Sequence, residues 1–97
     1  EVARTLGNLG NVLEALGDYQ AARDAQNSAL KIFEKAYGPD HPEVAITLTN
    51  LGIVLRELGE TSEARDCFDR AASIFEARLG PDHSYTQIAK KLRDELD

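Results

Sequence analysis

Apolar residues recur along this chain at alternating spacings of four and three. Val44, Leu48, Leu51, Leu55 and Leu58 form one such run, which sets them in a single stripe down a helix. Gly59 ends it. A second stripe follows at Ala64, Cys67, Phe68, Ala71, Ile74, Phe75 and Leu79, and Gly80-Pro81 ends that one. Glycine accepts the left-handed backbone that closes a helix, and proline cannot continue one. The spacing predicts helices over about 41–58 and 61–79, and the same logic upstream predicts helices over about 2–16 and 19–37. Only two or three residues separate the helices of a pair, so each pair is expected to form an antiparallel hairpin. The tail carries one more stripe at Tyr85, Ile88, Ala89, Leu92 and Leu96. Its other side is Lys90, Lys91, Arg93, Asp94, Glu95 and Asp97, the wet face of a capping helix over 85–97.

These elements repeat. Gly38-Pro39-Asp40-His41 returns as Gly80-Pro81-Asp82-His83, and with residues 1–42 laid over 43–84, 23 of 42 positions are identical. Self-similarity at this period is the mark of a solenoid. The chain therefore reads as all-α, with one repeat over 1–42, a second over 43–84 and a closing helix over 85–97. Between repeats, Asp40 is the expected cap of the next helix, with Glu43 three residues on as in a capping box. Pro42 fits the first turn, where its missing N–H costs nothing. Gly10 and Gly52 interrupt helices at a cost of about 1 kcal/mol each against alanine. That cost makes sense where a partner helix comes close, with Ala22, Ala29, Ala64 and Ala71 as the expected other side.

Leu9-Gly10 with Leu13, then Gly17-Asp18-Tyr19, Ala22 and Ala29, resembles the tetratricopeptide repeat. Leu51-Gly52, Leu55, Gly59, Ala64, Phe68 and Ala71 repeat the pattern. The usual period is 34 residues; the longer second helix and the Gly-Pro-Asp-His-Pro turn are similar to the repeats of kinesin light chains and related bacterial arrays. Two positions depart from the pattern. Gln26 replaces an aromatic, which predicts looser packing in the first repeat, and Thr61 stands where the first copy has Tyr19.

The resemblance implies a right-handed superhelix whose first helices line a concave groove for a peptide or a partner helix. It assigns that groove to Arg4, Gly7, Asn8, Asn11, Glu14 and Ala15, and to Ile46, Thr49, Asn50, Ile53, Arg56 and Glu57. Asn8 and Asn50 are repeat-equivalent, and an asparagine amide both donates to and accepts from a peptide backbone; the alternative is that the pair bonds to a neighbouring helix or bridges repeats. Arg4 and Arg56 suit a ligand carboxylate, or pair with the neighbouring Glu14 and Glu57. Gly7 and Thr49 stand where a lysine clamp for a C-terminal carboxylate needs lysine, so a full clamp is not expected.

Charge and composition narrow the partners. A net charge of −6 over 97 residues disfavours a nucleic acid held through its phosphates and an anionic membrane. The one cysteine, Cys67, forms no internal disulfide framework, which suggests a reducing, cytoplasmic setting. No export leader is legible, and no apolar run nears the roughly 18 residues of a spanning helix. The chain opens on Glu1, the first position of a repeat, as expected of a piece of a longer array. His41 and His83 are repeat-equivalent turn residues, too far apart to converge on a metal. Cys67 lies on an apolar stripe with no base near it in sequence. No phosphate loop and no isolated carboxylate pair is present, so neither catalysis nor a cofactor is expected. The predicted function is a protein-binding scaffold. The alternative is a spacer or self-assembling segment, stacking through Val2, Leu6, Leu9 and Leu13, which no earlier repeat covers.

Overall fold

The structure, a computed structural model, describes residues 2–96. It contains α1 (Val2–Ala15), α2 (Tyr19–Tyr37), α3 (Pro42–Glu57), α4 (Thr61–Leu79) and α5 (Ser84–Asp94). No strand occurs among the described residues. α1 stops one residue short of the sequence expectation and α3 is one residue shorter at each end. α5 starts at Ser84 and ends at Asp94, well before the predicted end. Glu95 closes it, and Asp97 lies outside the described residues, as does Glu1.

Glycine makes the turns at the helix ends. Gly17, Gly38, Gly59 and Gly80 all have positive φ, between 81° and 95°, where a Cβ is strained. The helix starts use different chemistry. Asp18 caps α2, accepting from the Ala21 N–H at 3.3 Å. The cap of α3 is not Asp40 but His41, whose Nδ1 accepts from the Glu43 N–H at 3.0 Å. The helix begins at Pro42, so the residue just before it, and not Asp40, occupies the capping position. His83 repeats the contact on Tyr85 at 3.0 Å. The imidazole of His41 also stacks on Tyr37, ring centroids 4.5 Å apart.

Each helix packs on its neighbours in sequence: α1 on α2, α2 on α3, α3 on α4 and α4 on α5. This is the nearest-neighbour packing of a helical repeat. The core runs through the stack in two patches. One joins Phe33, Val44, Ala45, Leu48, Ala71 and Phe75; the other joins Leu51, Leu55, Ala64 and Phe68.

The interior glycines sit against bulky side chains, not against the alanines expected from the sequence. A Cβ on Gly52 would meet the Phe68 ring at 2.6 Å, and one on Gly10 would meet Gln26 Nε2 at the same distance. Gln26 and Phe68 are repeat-equivalent and both are fully buried. The first repeat is thus not slack at Gln26. The amide fills the place of the ring, donating from Nε2 to the Gly7 carbonyl at 3.1 Å and to Asn11 Oδ1 at 3.0 Å. Its Oε1 is buried with no hydrogen-bond partner.

One face of α1 is bare. Val2, Leu9 and Val12 are 67%, 49% and 55% exposed, whereas their copies Val44, Leu51 and Val54 are 0%, 5% and 1% exposed. The difference is the cover: α2 lies over α3, and among the described residues nothing lies over the outer side of α1. Leu16 belongs to this bare face, while Leu6 and Leu13 are only half-buried.

Candidate functional site

The first helices α1 and α3 barely touch and flank a recess of about 110 Å³, floored by Gln26 and Phe33 of α2. Arg4, Gly7, Asn8 and Asn11 line it from α1, at helical spacings that set them in one row. Glu43, Ile46, Thr47 and Asn50 line it from α3. A second recess of about 200 Å³ opens between α3 and α5, lined by Ile46, Thr49, Asn50, Phe75, Tyr85 and Ile88. Ile46 and Asn50 line both, so the two recesses adjoin and together form the trough.

The second recess is the first shifted by one repeat. Its six lining residues are the copies, 42 positions on, of Arg4, Gly7, Asn8, Phe33, Glu43 and Ile46. Only the asparagine, the phenylalanine and the isoleucine are kept. Arg4 becomes Ile46 and Glu43 becomes Tyr85, so charged positions become apolar ones. The trough therefore changes character along its length, from a polar end carrying one cation and one carboxylate to an apolar end with Tyr85 and Ile88 half-exposed.

The structure brings together Arg4, Asn8, Asn11, Ile46 and Asn50 at the first recess, and Ile46, Thr49 and Asn50 at the second. Asn8 and Asn50 make no side-chain hydrogen bond among the described residues. The Thr49 hydroxyl donates to the Ala45 carbonyl of its own helix at 2.8 Å. Ile53 and Arg56 line neither recess. Ile53 packs against the Leu51, Leu55 and Phe68 patch, and Arg56 pairs with Glu57 at 3.6 Å on the surface, an interaction of little energetic weight.

Gln26, Phe33, Glu43, Thr47, Phe75, Tyr85 and Ile88 line the recesses without being legible as site residues in the sequence. Tyr85 and Ile88 belong to the apolar stripe expected to cap the stack, yet both face the trough. The signal that finds them is the period itself, since Ile88 stands one repeat beyond Ile46. Cys67 is half-buried. Burial, reinforced by Asp66 and Glu63 and opposed by Arg70, pushes its thiol up to about 11, so it is protonated and unreactive near neutrality. No group of His, Cys, Asp and Glu suited to a metal occurs among the described residues. No described helix is long and apolar enough to cross a membrane.

The sequence profile of the tetratricopeptide repeat matches residues 1–77, which spans both hairpins almost completely. The chain belongs to the tetratricopeptide repeat family. Repeats of this family mediate protein–protein interaction. Among curated protein sequences, none matches the chain.

Proposed function

We propose that this tetratricopeptide repeat segment is a scaffold that takes an extended peptide or a helix of a partner protein along the trough between α1, α3 and α5. The observation that carries the reading is the doubled recess: one site geometry is built twice in line, with an unengaged asparagine, Asn8 or Asn50, at the same place in each. A row of amides one repeat apart suits a peptide backbone, whose donors and acceptors recur along the strand. The apolar recess at Tyr85 and Ile88 supplies a seat for a hydrophobic side chain of the partner. A cytoplasmic setting suits the single unpaired thiol. The 42-residue period and the Gly-Pro-Asp-His turn support the kinesin-light-chain-like class and a parent protein of signalling or adaptor type. The test is a peptide-library selection on the chain, with the selected peptides titrated against Asn8→Ala/Asn50→Ala. Loss of affinity at unchanged helicity supports the trough; equal affinity refutes it.

A second reading rests on the bare face of α1. Val2, Leu9 and Val12 expose the residue types that α2 buries on α3, and exposed apolar patches mark interaction surfaces. Self-association through this face makes molar mass rise with concentration in light scattering over a hundredfold range. A constant monomer mass removes it.

A further inference from the structure

We propose that Gln26 is a positioning residue: it holds the Asn11 side chain with its amide N–H groups turned into the trough, so that this end of the trough recognises a peptide carbonyl oxygen. The proposal rests on the trough being the partner site, and it adds which chemistry is read there and what enforces it.

The orientation follows from a chain of hydrogen bonds that starts at the backbone. The Gly7 carbonyl can only accept. Gln26 lies against it at 3.1 Å, so the nitrogen end of its amide must face it. The other N–H on that nitrogen then points to Asn11 at 3.0 Å. A donor requires an acceptor, so Asn11 must present Oδ1 and turn Nδ2 the other way. Gln26 is fully buried and Asn11 is exposed, so a group fixed in the interior sets one that meets the partner. A free asparagine presents its donor end and its acceptor end alike; this one keeps its oxygen on Gln26 and presents its donor end to the trough.

The second repeat provides a contrast within the same chain. At the copies of these two positions stand Phe68 and Ile53, both apolar, with no amide to orient. Gln26 and Asn11 differ from that solution together. The pair is also not the more comfortable packing. It leaves Gln26 Oε1 buried and unpartnered, where phenylalanine has no polar atom to leave. Buried polar atoms without a partner are rare in native structures.

The test uses the full chain labelled with ¹⁵N. In the wild type, the Gln26 side-chain N–H protons are protected from solvent exchange and those of Asn11 exchange freely. In Gln26→Leu, and in Gln26→Phe, which copies the second repeat, the Asn11 amide loses order on the picosecond-to-nanosecond scale. Asn11 amide protons that are protected in the wild type, or an Asn11 amide equally ordered in both variants, overturn the positioning role. For recognition, peptides selected on the wild type are titrated against Asn11→Asp, which keeps an acceptor for Gln26 but has no N–H. At least tenfold weaker binding is expected, and unchanged binding overturns the donor reading. A library that yields no binder refutes the trough itself and the recognition with it, while the exchange data still decide the orientation.

Discussion

Replacing Gly52 by alanine tests the closeness of the hairpin. A helix interior gains about 1 kcal/mol when glycine becomes alanine, so an open site would be stabilised. Here the new methyl arrives 2.6 Å from Phe68 Cε1 and 2.9 Å from Cδ1 and Cζ, well inside contact distance. Phe68 has no exposed surface and is enclosed by Leu51, Leu55 and Ala64, so the ring cannot swing out. Overpacking of this kind costs about 1–3 kcal/mol. Set against the propensity gain, the expected net loss is about 1 kcal/mol, a fall in Tm of roughly 4–8 °C for a domain of this size. Circular-dichroism melts and urea titrations of wild type, Gly52→Ala and Gly52→Ala/Phe68→Leu measure it. The smaller leucine should relieve the clash, so the alanine costs less in that background, a coupling that a double-mutant cycle resolves. A Gly52→Ala protein that melts at or above the wild type refutes the argument that glycine is there to admit the ring.

Three further outcomes follow from helix ends and burial. His41→Ala removes the acceptor that caps α3 and should cost about 1 kcal/mol in urea denaturation, whereas His41→Asn, which restores a side-chain acceptor, should recover most of it. Cys67 should be alkylated at pH 8 about 100-fold more slowly than an ordinary thiol, from a value raised from 9.0 to about 11; labelling at the free-cysteine rate contradicts its burial. Because the folded value is the higher one, this group leaves stability intact below about pH 9 and erodes it as pH rises towards about 11. Equal melts at pH 8 and pH 10.5 for wild type and Cys67→Ala alike count against that contribution.

Much of this architecture was readable from stripes and stops. The spacing of apolar residues and the glycines that end each run place the helices within a residue or two, except at α5. There the stripe continues through Leu96 while the backbone leaves the helix after Asp94, and periodicity carries no signal for where a terminal turn unwinds. The pattern points to Asp40 as the cap because aspartate is a common capping residue, yet Pro42 opens the helix and gives the position to His41. Gln26 shows a different limit. Its substitution for an aromatic was visible, but its partners lie 19 and 15 residues away, a relation that a local pattern does not contain. Likewise, identical valines and leucines in α1 and α3 meet opposite fates. Burial there is decided by the preceding helix and not by the residues themselves.

The sparse contact between α1 and α3 has a mechanical consequence. The first helices of successive repeats are joined mainly through the second helices behind them, so the open side of the stack is only lightly tied. A partner segment bound in the trough as proposed would touch α1, α3 and α5 at once and act as a splint. Its binding would stiffen the whole array against bending, with the polar end and the apolar end each anchoring one side of the brace.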